Sequence, residues 1–188
     1  MNSFDVIVIG AGASGLMCAS IAGQQGQSVL VVDSTNKPGK KILMSGGGRC
    51  NFTNYYVEPT NFLSANPHFC KSALSGYTQY DFIGLVADYG IAYEERDHGQ
   101  LFCINSAKDI LSMLLDECDK GGAQIKCKQR VTAIKQTDQG FVLSINDTSY
   151  QCKKLVVATG ALSIPTMGAT GFGYDVASQF DLNVLPRS

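Results

Sequence analysis

Runs of consecutive apolar residues alternate along this chain with segments whose apolar positions recur every three or four residues. Residues 6–9 read VIVI, a β-branched run that suits a strand covered on both faces of a parallel sheet. Leu16, Ala19 and Ala22 then keep helical spacing up to Gly26, and residues 29–32 (VLVV) form a second buried run closing on Asp33. Further on, Phe82, Leu85, Val86 and Tyr89 predict a helix capped by Thr78 and ended at Gly90. Residues 91–95 and 101–104 predict short strands around an Asp97-His98-Gly99 turn. Another helix opens at Ser106, with Asp109 in place of the usual Glu or Gln of a capping box. Leu111, Leu114, Leu115 and Cys118 form its buried stripe, and Gly121-Gly122 stops it. Residues 125–127 read as a strand, and residues 131–135, 141–145 and 149–152 as an antiparallel meander turning at 138–140 and 146–147. Residues 155–158 make one more buried strand, residues 174–180 a helical run, and residues 182–188 the start of another strand. Residues 55–76 show no usable period, with Pro59 and Pro67 marking turns.

The first of these segments carries chemistry. Gly10, Gly12 and Gly15 fall between the first strand and its helix. Gly10 permits the tight turn, Gly12 lets backbone approach a pyrophosphate without an intervening Cβ, and Gly15 lets the helix pack closely on the strand. The helix start, with Ala13 and Ser14 in its first turn, aims free N–H groups and the positive dipole end at phosphate. Asp33 lies 21 residues beyond Gly12, where a carboxylate can accept both hydroxyls of an adenosine ribose and would repel a 2′-phosphate. Ser34 follows it as a further candidate contact. This unit predicts dinucleotide binding in an α/β fold and leaves FAD and NAD open.

Composition sharpens the picture. The 188 residues hold 15 Lys+Arg against 16 Asp+Glu, a formal charge of −1, from which neither a nucleic-acid partner nor a membrane surface is expected. Apolar residues reach 45% and charged residues only 16%, which excludes intrinsic disorder and suggests a surface partly covered by something, or part of a larger body. Seven cysteines, Cys18, Cys50, Cys70, Cys103, Cys118, Cys127 and Cys152, form an odd set without CxxC spacing, so no metal site is expected and a reducing cytoplasm is the simplest home. The start MNSFDVIVIG lacks a basic flank, and its apolar run breaks at Gly10, too early for a signal peptide or a span.

Residues 38–54 read PGKKILMSGGGRCNFTN. Gly46, Gly47 and Gly48, followed by Arg49, Cys50 and Asn51, give a loop with exposed N–H donors, a fixed cation and a small thiol, able to lie against a pyrophosphate or the polar edge of a flavin. The string from Lys40 to Asn54, the glycines at 10, 12 and 15, and Ala158-Thr159-Gly160 with Leu162-Ser163 and Pro165 resemble the HI0933-like or BaiN-type bacterial flavoprotein family of NAD(P)/FAD-dependent oxidoreductases. That resemblance runs from residue 5 to the end of the chain.

The resemblance implies a Rossmann-like FAD/NAD(P)-binding fold of the two-dinucleotide type, in which an antiparallel β-meander replaces one crossover helix. Residues 1–188 would be the amino-terminal portion of its FAD-binding domain. By that analogy the first βαβ unit holds the ADP half of FAD and Asp33 takes the ribose. Lys41 and Ser45, Gly46, Gly47, Gly48, Arg49, Cys50 and Asn51 line the path to the flavin, Val131 gives backbone to the adenine, and Ala158, Thr159 and Gly160 pass close to the cofactor. Family members are longer and continue into a substrate domain and a returning segment. The expectation is therefore a truncated chain that alone retains FAD weakly or not at all and pairs with a missing carboxy-terminal segment or with itself. The implied activity is flavin-dependent oxidoreduction of a small molecule, with NAD(P)H a possible electron donor and no residue assignable as catalytic. An NAD-binding reductase and a non-catalytic fragment are the competing readings. His98 and His68 are expected in solvated turns, and Cys50, with no second cysteine nearby in sequence, in simple packing.

Overall fold

The computed structural model describes residues 2–162 and 170–185. In chain order its elements are β1 (Asn2–Ile9), α1 (Ala13–Gln24), β2 (Val29–Val32), α2 (Lys40–Met44), β3 (Asn51–Asn54), α3 (Lys71–Gly76), α4 (Gln79–Asp88), β4 (Tyr93–Glu95), β5 (Gln100–Cys103), α5 (Ala107–Lys120), β6 (Gln124–Lys126), β7 (Val131–Thr137), β8 (Gly140–Ile145), β9 (Thr148–Val157) and α6 (Phe172–Gln179). They form two compact units, one of residues 1–41 and 114–188, the other of residues 42–113.

The first unit is a Rossmann-like α/β fold built on a six-stranded sheet in the order β6-β2-β1-β9-β8-β7. β1 pairs in parallel with β2 and β9, and β2 with β6. Residues 6–9 lie in the middle of this sheet and are all buried, so both faces of the strand need apolar side chains. α1 packs through Gly15, Leu16, Ala19, Ser20 and Gly23. Ile7, Ile9, Leu30, Val32, Ile134, Leu143, Ile145, Tyr150, Cys152 and Val176 form a continuous core, against which Phe172 and Phe180 of the α6 region pack. Burial of aliphatic side chains of this size contributes roughly 1.5–3 kcal/mol each.

The expected meander is present as β7-β8-β9, with antiparallel pairing throughout. One difference has a clear cause. The strands expected at 149–152 and 155–158 are a single strand, β9, whose first half pairs with β8 while the strand runs alongside β1 from Tyr150 to Val157. Lys153 and Lys154 break the apolar pattern but carry no turn chemistry, and Lys153 stays at the surface by pairing with Asp5 at 2.7 Å. The strand expected from residue 182 is absent over residues 182–185, and residues 186–188 lie outside the described ones. Ser163 and Pro165, and the first residues of the glycine-rich stretch that the sequence shows at 168–173, also lie outside them.

The second unit carries the three-stranded antiparallel sheet β3-β5-β4, with the 3₁₀ turn Asp97–Gly99 between β4 and β5 as the sequence predicts. α4 begins at a Thr78/Asp81 capping box, Asp81 N–H donating to the Thr78 hydroxyl. Phe52 of β3 packs edge-on against Tyr93 and tilted against Phe82. β3 and α2 were hidden within what reads as one glycine-rich loop.

Candidate nucleotide site

The mouth of the first unit is built where β1 and β9 end. Gly10, at φ +110°, takes a conformation that L side chains rarely adopt, and a Cβ there would collide with the Ala158 carbonyl. The Ala158 N–H donates to the Ile9 carbonyl at 2.8 Å, which sets Ala158 beside Gly10. A Cβ on Gly15 would collide with the Gly10 carbonyl, so helix and turn can touch only through glycine. Gly12 differs: a Cβ there would meet nothing within 4 Å. It is the N-cap of α1, no side chain caps the helix, and no acidic residue stands in the first turn. The amides of Ala13 and Ser14 thus start a helix whose positive end has no side-chain cap among the described residues, a place that favours an anion.

Asp33 faces this mouth. One carboxylate oxygen accepts the Ala11 N–H at 2.7 Å and the other the Thr35 N–H at 2.8 Å. A carboxylate has further lone pairs on each oxygen, so a ribose diol can still be accepted. Ser34 is exposed next to it. The Gln129 N–H donates to the Asp33 carbonyl at 2.9 Å, bringing the start of β7, and so Val131, to the same strand end. On the other side, Gly160 has φ +76°, and the Lys41 ammonium lies 3.3 Å from where its Cβ would stand. The Thr159 hydroxyl lies 3.1 Å from the corresponding point on Gly173. Ala11, Thr35, Gly39 and Gln129 were not foreseen; Gly39 donates to the Ala11 carbonyl at 2.8 Å. Their part is played by backbone, which leaves no residue-type signal apart from the Pro38-Gly39 turn.

These features fit the adenosine diphosphate half of FAD: open space over Gly12, an uncapped helix start and an acid fixed by two amides. An acid in that place disfavours a 2′-phosphorylated ribose.

The remaining expected residues belong to the second unit. Gly46, Gly47 and Gly48 have φ of +57°, +66° and +88°, and Cys50 shares the left-handed region at +50°. Gly46 is required, since a Cβ would lie 2.6 Å from the Phe102 ring, whereas Gly47 has open space. The Ser45 hydroxyl donates to the Ile42 carbonyl, and Asn51 is exposed opposite Phe102. The Arg49 guanidinium is half-exposed and 3.9 Å from Glu94, which is bound more closely by Arg96 at 2.7 Å. Cys50 is buried, and burial pushes its thiol above the ordinary value. A second cysteine does stand near it: the Cys103 N–H donates to the Arg49 carbonyl, and burial, with Cys50 and Asp109 nearby, pushes the Cys103 thiol up to about 12. Buried thiols of this kind pack rather than react. His98 is exposed in its turn, as is His68.

Over residues 4–188 the sequence matches the family described as HI0933-like protein Rossmann domain. It is 56% identical over 186 residues to a protein of Escherichia coli named ribosomal RNA dihydrouridine synthase, and 54% identical over 184 residues to a Haemophilus influenzae protein of the same name. These matches cover 99% and 96% of this chain and 46% of each relative, so the chain spans about half their length. Among solved structures, the open conformation of a flavocytochrome c3 fumarate reductase shares the fold, with a TM-score of 0.63, 19% identity, and coverage of 95% of this chain and 40% of that one. No helix among the described residues is long and apolar enough to cross a membrane. The two relatives overturn the expectation that nucleic acid is no partner. That expectation rested on net charge, which averages over the whole chain and says nothing of how charge is distributed.

Proposed function

Because the chain belongs to the HI0933-like protein Rossmann-domain family, the dinucleotide-binding part of flavoprotein oxidoreductases, we propose that it is the amino-terminal, FAD-binding portion of an enzyme that reduces uridine to dihydrouridine in ribosomal RNA. The observation that carries this reading is the 56% identity maintained across 99% of the chain to a protein named for that reaction. A macromolecular substrate thereby replaces the small molecule expected from the sequence.

FAD held here would supply the two-electron redox chemistry that reduction of the uracil C5=C6 bond requires, the reducing equivalents coming from a donor such as NAD(P)H. The chain's own part is binding and electrostatics. Gly10, Gly12 and the α1 amides of Ala13 and Ser14 hold the diphosphate; Gly15 keeps the helix close enough for them to do so. Asp33, with Ser34, takes the adenosine ribose, and Val131 borders the adenine. Lys41, Ala158, Thr159 and Gly160 border the cofactor beyond the diphosphate. In the second unit, Ser45, Gly46, Gly47, Gly48, Arg49, Cys50 and Asn51 make a loop whose N–H donors and cation suit the polar edge of a flavin. A guanidinium such as that of Arg49 favours negative charge on a reduced flavin.

Nucleoside mass spectrometry tests the reading. Ribosomal RNA from cells lacking the gene, incubated with the purified native-length flavoprotein and NAD(P)H, should gain dihydrouridine. Absence of dihydrouridine from a preparation that holds FAD and oxidises NAD(P)H with another acceptor would overturn it.

A further inference from the structure

The chain is nearly neutral overall, yet its cations are unevenly placed. Residues 33–41 and 126–130 together contain Lys37, Lys40, Lys41, Lys126, Lys128 and Arg130 with one acid, Asp33, leaving nine cations to face fifteen acids elsewhere. The two segments lie side by side. The Asp33 N–H donates to the Lys126 carbonyl at 3.0 Å, the Gln129 N–H to the Asp33 carbonyl at 2.9 Å, and the Lys128 N–H to the Thr35 carbonyl at 2.7 Å. Lys37, Lys128 and Arg130 are exposed, and none forms an ion pair with another described residue. Lys126 is held over the Tyr150 ring at 5.7 Å.

Lys128 is the telling member. It has φ +56°, a conformation natural to glycine or asparagine and costly for lysine. Asn146 holds it there: its Nδ2 donates to the Lys128 carbonyl at 2.8 Å and its Oδ1 accepts the Arg130 N–H at 2.9 Å. Among the described residues the ammonium that this strained position carries forms no ion pair. A rim rich in cations, three of them without an ion-pair partner among the described residues, raises the local concentration of polyanions and fits phosphodiesters spaced along a backbone.

We propose that Lys37, Lys128 and Arg130 form a docking rim for the phosphate backbone of the RNA substrate. The proposal rests on the function argued above and assigns these residues to positioning rather than to base recognition. Three neutralised contacts should lower the slope of log affinity against log salt by roughly 2–3.

The test uses the native-length flavoprotein and fluorescein-labelled, in-vitro-transcribed ribosomal RNA, with anisotropy read across a salt series. The triple variant Lys37→Gln, Lys128→Gln, Arg130→Gln should bind RNA at least about tenfold more weakly, with the reduced slope, while keeping its flavin content and melting temperature. Neutralising Lys71, Lys108 and Lys135, exposed lysines outside these segments, should leave both quantities near those of the parent. If the parent binds RNA and the rim variant matches it in affinity and slope, the rim is overturned and the proposed function stands. An equal loss in both triple variants, or a loss of FAD from the rim variant alone, also overturns it. If the parent binds no RNA, both readings fall.

Discussion

Replacing Gly12 with alanine separates binding from folding in a way the other two glycines of the motif do not allow. Gly12 has φ −86° and ψ −172°, open to any L residue, and its Cβ would meet nothing within 4 Å. Alanine is a poorer N-cap than glycine but restricts the unfolded chain, so two effects of some tenths of a kcal/mol to about 1 kcal/mol oppose each other and folding stability stays within about 0.5 kcal/mol of the parent. The methyl group projects into the open space over Gly12, where on the proposed function the diphosphate would approach the α1 amides. Losing one hydrogen bond to a charged group costs about 1.5–3 kcal/mol, which weakens FAD binding about 10- to 150-fold. Gly15→Ala behaves in the opposite manner. Its Cβ collides with the Gly10 carbonyl, and relieving such overpacking costs about 1–3 kcal/mol of stability before any ligand is considered. Chemical denaturation of the apoprotein and flavin-fluorescence titration of both variants read the two effects apart. Equal losses of stability in the two variants, or a Gly12→Ala protein with parental FAD affinity, would refute the reasoning.

Other outcomes follow from the same geometry. Asp33→Asn leaves one acceptor oxygen where two now serve the Ala11 and Thr35 amides and, on this account, the ribose; flavin-fluorescence titration should show FAD affinity reduced at least about tenfold, a charge-assisted hydrogen bond being worth roughly 1.5–3 kcal/mol. The Cys118 thiol donates to the Leu16 carbonyl and burial holds it up at about 11, with Cys103 at about 12. Both have raised folded-state values, so stability present below the ordinary thiol value near 9 is lost as pH rises from 9 toward 11 and 12. Within the folded protein these two thiols should resist iodoacetamide at pH 8 and react only after denaturant is added, as counted by mass spectrometry. Thr78→Ala removes the hydroxyl that caps α4 and should cost about 1 kcal/mol in urea denaturation, with a Ser replacement restoring most of it.

The parallel half of the fold was legible because its signals are redundant. Residues 6–9 and 29–32 are buried on both faces, and the glycines between them are demanded by sterics at Gly10 and Gly15. The meander was legible through its turns, Asp138-Gln139-Gly140 and Asn146-Asp147, but not its junction with the parallel sheet. There Lys153 and Lys154 mimic a break that the β1 register overrides. β3 and α2 were lost because three glycines dominate the pattern of residues 38–54, and sheet pairing with β5 decides what local propensity does not. At the site, side chains were found and backbone was missed: Asp33 stood out, whereas the Ala11 and Thr35 amides that orient it have no compositional mark. Cys50 seemed isolated because spacing along the chain does not reveal that the β3–β5 pairing brings Cys103 to it. Net charge misled on nucleic acid for a related reason, since it cannot show that residues 33–41 and 126–130 lie side by side, joined by the Lys128 N–H donating to the Thr35 carbonyl.

The central claim is that the glycine-lined mouth with Asp33 at its side holds the adenosine diphosphate half of FAD. Isothermal titration of the native-length apoprotein with FAD, repeated with ADP present and separately with NADH, addresses it directly. The account predicts saturable one-to-one FAD binding that ADP weakens competitively. Saturable NADH binding without any FAD response, or FAD binding indifferent to ADP, would contradict it.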